Sequence, residues 1–127
     1  MSNEIAPQKD ETQAHPVPNA WRETFFNIVK AIAAGDYDRI ASVKSVAPVS
    51  SAIARQIRSY IADYGETLTE LSDESWNSSI SQWTGTHWDV LVDLWTEESG
   101  ASDLVLSTRV FEVAEGFRFE IDSVHVP

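Results

Sequence analysis

Carboxylates that alternate with apolar residues in the C-terminal third of the chain are its most regular source of chemistry. Asp89 and Asp93 share one face of a predicted strand, and Glu120 and Asp122 share one face of another. Two carboxylates that share a proton can act as acid and base, but only where apolar groups surround them. We expect these four to lie on the solvated face of the sheet, as an ordinary polar face.

Histidines offer little further catalytic chemistry. His87 and His125 stand at the ends of the first and last strand-like runs, so a middle strand would separate them. The sequence has no glycine-rich phosphate loop, no serine nucleophile elbow, no metal-ligand spacing and no cysteine. We therefore expect no catalytic residue, no metal and no cofactor, and a protein that is not an enzyme.

Three alternating runs would position these carboxylates on a β-meander, at residues 88–95, 103–113 and 117–122. One face of the first run carries Trp88, Val90, Val92 and Leu94, and the other carries Asp89, Leu91, Asp93 and Trp95. A change of parity in the second run predicts a bulge near Ser107–Arg109 or burial on both faces. A similar change after Ile121 predicts another bulge.

Amphipathic helices precede this meander, which predicts an α+β fold with the helices packed on one face of the sheet. The predicted elements are a helix from Pro18 that ends at Gly35, a short helix at 36–43, a helix that follows Ser50 or Ser51 and ends at Gly65, and a short strand at 67–71. For residues 72–85, the spacing of the apolar residues in a polar segment predicts a helical turn or two and then a loop. Trp76 and Trp83 in that segment are either lids on the core or an exposed binding surface.

The domain organisation follows from composition. Residues 1–16 are polar and lack an apolar period, which predicts a flexible tail, and residues 17–127 form a single domain. We find neither a signal-peptide pattern nor an apolar stretch long enough for a membrane span. These features predict a soluble, cytoplasmic protein.

Charge is distributed unequally along the chain. The net charge is −11. Residues 1–64 hold seven Lys/Arg and seven Asp/Glu, whereas residues 65–127 hold two Lys/Arg and thirteen Asp/Glu. Such a field repels nucleic acid and anionic lipid and attracts cationic proteins.

An indole among these carboxylates predicts where a partner would dock. Trp95 lies on the acidic face, and aromatic anchors contribute much of the binding energy in protein interfaces. The alternative is that another segment covers Trp95. The predicted partner-binding residues are Asp89, Asp93, Trp95, Glu97, Glu98, Asp103, Glu120 and Asp122.

The last forty residues carry a family resemblance, in the runs 88–96, 97–100, 102–104 and 124–127. They resemble small bacterial domains of unassigned function, and the chain is similar in size and acidity to immunity proteins of polymorphic-toxin and contact-dependent growth inhibition systems. The resemblance implies binding to a cognate toxin, often a basic nuclease, with no catalytic residue. The order of helices and sheet also looks like the cystatin-like or NTF2-like architecture.

Two other functions stay open. An NTF2-like enzyme or small-ligand-binding protein would have a pocket between helices and sheet and an Asp–His pair such as Asp89 and His87. A structural or oligomerising domain would use the open face of the sheet. The leading hypothesis is an inhibitor whose acidic half binds a basic toxin domain.

Overall fold

A computed structural model describes residues 4–127 and has the predicted α+β architecture. The helices are α1 (Asn19–Ala33) and α2 (Ser51–Tyr64), with 3₁₀ helices at Tyr37–Ser42 and Asp73–Asn77. The strands are β1 (His15–Pro16), β2 (Ile80–Trp83), β3 (Trp88–Thr96), β4 (Gly100–Val113) and β5 (Gly116–His125). They form one antiparallel sheet in the order β1-β2-β3-β4-β5. The meander predicted from the sequence is confirmed.

Local sequence signals explain both α-helices. The apolar stripe of α1 is buried, and Gly35 follows it with a φ of +71° that reverses the chain. The side chain of Ser50 accepts a hydrogen bond from the Ile53 N–H (3.1 Å), which caps the start of α2. Gly65 ends this helix with a φ of +82°. The predicted short helix at 36–43 is present as the first 3₁₀ helix.

Aromatic and branched side chains fill the layer between the helices and the sheet. Trp21 of α1 packs edge-on against Trp88 of β3, with ring centroids 5.3 Å apart. Phe25 packs in the same way against Phe119 of β5, at 5.4 Å. The inward residues of β3 are all buried: Trp88, Val90, Val92, Leu94 and Thr96. The opposite side of the sheet, which we call the outer face, is left partly exposed.

A β-bulge keeps the apolar residues of β5 on the inner face. Ser107 of β4 pairs with Ser123, and the next residue, Thr108, pairs with Ile121. Asp122 is therefore the extra residue, and the parity of β5 changes there as the sequence predicts. The irregularity lies opposite the predicted region of β4, but the extra residue belongs to β5.

Residues 67–83 differ from the prediction at two points. Thr67–Leu71 contributes only an isolated bridge between Leu68 and Thr96 instead of a strand. The segment after the second 3₁₀ helix forms β2 instead of a loop. Trp83 pairs there with Trp88 across the sheet, so its spacing from Trp76 coincides with a helical period without forming a helix.

The N-terminal segment, residues 4–16, packs on the domain, which differs from the flexible tail predicted for residues 1–16. The buried indole N–H of Trp88 donates to the Gln8 carbonyl oxygen (3.0 Å). The Gln82 side chain donates to the Asp10 carbonyl oxygen (3.0 Å), and Lys9 contacts Glu112 (2.8 Å). These contacts are mostly polar, so the segment has no apolar periodicity from which its packing could be predicted. Residues 1–3 lie outside the described part of the chain.

Candidate protein-binding surface

Three carboxylates and an indole surround a groove at one end of the outer face, which we call the acidic groove. Its volume is about 390 Å³. The walls that matter for binding are Glu74, Asp93, Trp95, Asp103, Val105 and Pro127. The structure therefore brings together three of the residues predicted from the sequence, and it adds a carboxylate from the second 3₁₀ helix.

Two buried serines fix one wall of the acidic groove. The Asp93 N–H donates to Ser79 Oγ (2.9 Å), and Ser75 Oγ donates to the Asp93 carbonyl oxygen (2.5 Å). Both serine side chains lie inside the protein, so these bonds dock the second 3₁₀ helix on β3. Glu74 precedes Ser75 in the chain and is therefore held beside Asp93. The hydrogen bonds of Asp93 use its backbone N–H and carbonyl, so the Asp93 carboxylate stays free.

The opposite wall depends on a second irregularity in the sheet. Asp93 pairs with Val105, but Trp95 pairs with Ala101, so β4 has extra residues at this end. The N–H of Asp103, one of those extra residues, donates to the Tyr64 hydroxyl (3.1 Å). This bulge was not predicted, and it displaces Asp103 from the regular alternation of the strand.

Gly100 allows Trp95 to lie close to the β3–β4 turn. A Cβ atom on Gly100 would be 3.3 Å from Trp95 Cζ3, and the φ of Gly100 is +71°, so a larger residue would both crowd the ring and strain the backbone. The indole is half-buried and lines the groove. Trp95 is therefore a fixed aromatic wall.

The carboxylates of the acidic groove lack neutralising partners. Glu74, Asp93 and Asp103 form no salt bridge with any Lys, Arg or His of residues 4–127. Their negative charges accumulate in a concave space beside an apolar ring, where the field is less dispersed by water than on a convex surface. A cation placed in the groove would meet several carboxylates at once.

The predicted acids at the other end of the outer face are paired. Asp122 Oδ1 accepts from Arg109 Nη2 at 3.0 Å, and Glu120 Oε2 lies 3.1 Å from Arg118 Nη2. Asp89 lies opposite Arg109 across β3 and β4, and its own side-chain partner is His87, with Oδ1 3.0 Å from Nε2. Exposed pairs of this kind add little stability, but they cancel charge. The structure therefore does not assemble these three acids with the acidic groove.

Glu98 and Glu97 hold the β3–β4 turn. The Glu98 carboxylate accepts from the Thr67 N–H (2.7 Å) and from Thr67 Oγ1 (2.8 Å). These hydrogen bonds lower the pKa of Glu98. The Glu97 N–H donates to the Thr67 carbonyl oxygen (2.9 Å), and its side chain is exposed. Glu98 thus anchors residue 67, and Glu97 stays available to solvent outside the groove walls.

The structure forms the Asp–His pair that the second hypothesis requires, but not in an interior pocket. His87 Nε2 lies 3.0 Å from Asp89 Oδ1, and His87 Nδ1 lies 2.9 Å from Thr86 Oγ1. Both ring nitrogens therefore have partners, and the ring packs against Phe111 with centroids 5.0 Å apart. The pair lies on the outer face, whereas core side chains fill the layer between helices and sheet.

Trp76 and Trp83 act as lids on the core. Trp83 packs against Trp88 with ring centroids 4.5 Å apart, and Trp76 packs against Phe25 at 6.5 Å. Both are half-buried against the core cluster. The binding-surface alternative for these two residues is therefore not supported, and Trp95 is the indole of the acidic groove.

Sequence reasoning missed three of the groove residues. Glu74 follows Ser72, whose side chain accepts a hydrogen bond from the Glu74 N–H (3.2 Å), so a helix-capping signal marked its position. Val105 and Pro127 carry no signal of this kind. No group of three or more His, Cys, Asp or Glu within residues 4–127 is arranged to hold a metal ion.

The fold and the acidic groove together define the class of protein: an α+β domain with unpaired carboxylates in a groove on its sheet. The chain belongs to a family of domains of unknown function, DUF7668, whose model matches residues 29–127. No curated protein and no solved structure matches the chain. The matched residues include all walls of the groove. The likeness to immunity proteins stays a prediction.

The helices were also assessed for length and polarity against the thickness of a lipid bilayer. Across residues 4–127, the helices are too short or too polar to cross a lipid bilayer.

Proposed function

We propose that this protein is a cytoplasmic, non-catalytic inhibitor that binds a basic protein domain in its acidic groove. In its most specific form, the proposal is an immunity protein that neutralises a cognate toxin, such as a basic nuclease. The observation that carries it is the absence of salt bridges within residues 4–127 for Glu74, Asp93 and Asp103, which line one groove with Trp95.

The chemistry of the groove fits a lysine or arginine side chain of a partner. A guanidinium or ammonium group can contact carboxylate oxygens while its stem packs on the indole of Trp95. The groove volume of about 390 Å³ has room for such a side chain. The exposed Pro127 and the half-buried Trp95 supply apolar surface at the same place, so a partner would gain burial as well as charge pairing.

Long-range attraction also supports a cationic protein partner. The net charge is −11, and the acidic excess lies in residues 65–127, which contain strands β2 to β5. We expect this field to speed encounter with a basic protein and to slow encounter with nucleic acid or anionic membranes. We therefore expect no direct binding to nucleic acid or lipid.

Co-purification with the product of the neighbouring reading frame tests the proposal, because an immunity protein is encoded next to its toxin. We expect a stable complex whose affinity falls as the salt concentration rises. The double variant Asp93→Lys with Asp103→Lys should weaken binding by about tenfold or more, roughly 1.4 kcal/mol, since it removes two attractive charges and adds two repulsive ones.

A charge-matched control separates the groove from net charge. Asp63→Lys with Glu115→Lys changes the net charge by the same amount at exposed positions outside the groove. This control should retain most of the affinity. Equal weakening by both double variants would contradict the groove as the binding site, and failure of the two proteins to associate would contradict the inhibitor itself.

The His87–Asp89 pair favours a second candidate function, a small-ligand-binding protein or enzyme of the NTF2-like kind. Its carboxylate and imidazole are 3.0 Å apart, as a general base and its orienting group would be. The pair lies on an open surface, so substrate would have to bind against Phe111. Retention of toxin neutralisation by an Asp89→Asn variant would favour the first function over this one.

A further inference from the structure

A cavity between α1 and the first 3₁₀ helix is lined by cations in an otherwise acidic protein, and we call it the basic pocket. Its volume is about 300 Å³, at the lower end of the range for small-molecule sites. Its walls are Asn27, Lys30, Arg39, Ser42, Val43 and Lys44. The pocket shares no wall residue with the acidic groove.

Neighbouring carboxylates neutralise little of the positive charge in the basic pocket. Lys30 and Lys44 are exposed and form no salt bridge with another residue of the described chain. Arg39 contacts Asp36 through Nε, at 3.5 Å, which leaves its two terminal nitrogens available as donors. Asp36 therefore offsets part of one charge, and two lysines remain uncompensated.

Three separate pieces of backbone bring these cations together. Lys30 lies in the last turn of α1, where the helix dipole favours a cation. The Asp36 N–H donates to the Ala31 carbonyl oxygen (3.0 Å), which turns the chain back so that Arg39 lies beside α1. The helix dipole explains Lys30 alone, and it does not explain the convergence of all three.

Lys44 is directed by an unusual turn. The Val46 N–H donates to the Val43 carbonyl oxygen (3.2 Å), and Ser45 has a φ of +69°. A residue other than glycine in this left-handed region costs free energy, so the surrounding structure must hold it there. The turn fixes the backbone from which Lys44 reaches the pocket.

We propose that the basic pocket binds the phosphate group of a small, soluble phosphorylated molecule. Two ammonium groups and the terminal nitrogens of a guanidinium match the charge and the several acceptor oxygens of a phosphate monoester. Asn27 also lines the pocket, and its amide can supply further donors. This ligand is independent of the protein partner of the acidic groove.

The size of the pocket and the charge of the whole chain favour a small ligand over a polyanion. A nucleic acid or an anionic membrane would contact more of the surface than this cavity, and the net charge of −11 would oppose its approach. A small phosphate monoester contacts only the pocket, so the positive charges there dominate its binding.

Amide NMR titration of the full chain at constant ionic strength tests the site, with inorganic phosphate and glycerol 3-phosphate as probes and chloride as the reference anion. We expect saturable shifts confined to residues 27–44. Lys30→Gln with Lys44→Gln should weaken binding by about tenfold or more. Arg55→Gln, an exposed cation on α2 outside the pocket, should leave the affinity unchanged.

Three results would overturn the proposal. They are shifts that grow linearly without saturation, equal affinity of the double lysine variant and the parent protein, and binding to phosphatidylglycerol vesicles without binding to either soluble probe. The amide spectrum of the double lysine variant also reports whether it is folded, and Lys44→Gln alone provides a milder change. Neither lysine lies in the acidic groove, so failure here leaves the inhibitor proposal intact.

Discussion

At the scale of single residues, two buried tryptophans differ in one hydrogen bond. Trp21 and Trp88 are each 1% exposed. The indole N–H of Trp88 donates to Gln8, whereas that of Trp21 has no acceptor within residues 4–127. An unpaired buried donor costs about 1–3 kcal/mol, so Trp21 contributes its large apolar surface with a polar penalty.

This difference predicts unequal effects of one substitution at the two sites. Trp88→Phe removes a hydrogen bond and leaves the Gln8 carbonyl without its donor, whereas Trp21→Phe removes an unpaired donor. Both variants lose similar volume. We expect Trp88→Phe to lower the free energy of unfolding more than Trp21→Phe does, by about 1–2 kcal/mol, in urea denaturation. A larger loss for Trp21→Phe would contradict this assignment of hydrogen bonds.

Residue type and position in the sequence predicted part of the acidic groove. Asp93 and Trp95 lie on one face because the alternation of β3 is strict, and that face follows from the sequence alone. Glu74 reaches the same place through the hydrogen bonds of Ser75 and Ser79, which join segments that are distant in sequence. Periodicity carries no information about such tertiary bonds, so this residue could not be placed.

At the scale of elements, the exposed edge of β5 is covered in two places. The Phe119 N–H donates to Ser45 and the Phe119 carbonyl accepts from Ala47, so residues 45–47 pair with the strand. Further along, the Gln56 side chain donates to the Val124 carbonyl oxygen (2.8 Å) and accepts from the Val124 N–H (3.4 Å). The amide of one side chain thus takes the place of a neighbouring strand.

Removal of this amide should weaken the edge. Gln56→Ala leaves both Val124 backbone groups without a protein partner, and we expect a loss of about 1 kcal/mol in the free energy of unfolding. Arg55→Ala is the neighbouring control on the exposed side of α2 and should change stability by less than about 0.5 kcal/mol. Equal stability of both variants in urea denaturation would contradict the capping role of Gln56.

Elements with strong local signals were predictable, and those held by distant contacts were not. The helices and the three long strands have clear apolar periods, and the parity change in β5 revealed the bulge at Asp122. β2 is short, and its pairing with β3 competes with a chance helical spacing. The N-terminal segment packs partly through the backbone carbonyls of Gln8 and Asp10, and because every residue has a carbonyl, side-chain type does not encode these contacts.

At the scale of the whole molecule, opposite charges occupy separate cavities. The acidic groove joins the second 3₁₀ helix to the ends of β3 and β4, and the basic pocket joins α1 to the first 3₁₀ helix. Salt bridges on the rest of the outer face neutralise two other acids, Asp122 and Glu120. The acidic groove and the basic pocket share no wall residue, so one protein could hold a cationic partner and a small anion at different sites.

Mapping the interface with the neighbouring-gene product by amide NMR tests the central claim most directly. Binding in the acidic groove predicts the largest shifts at residues 74–78, 93–95 and 101–105 and at the Trp95 indole N–H. It predicts small shifts at His87 and in α1. Largest shifts on the helices or around the His87–Asp89 pair, with the Trp95 indole unchanged, would contradict the claim that the acidic groove is the docking site.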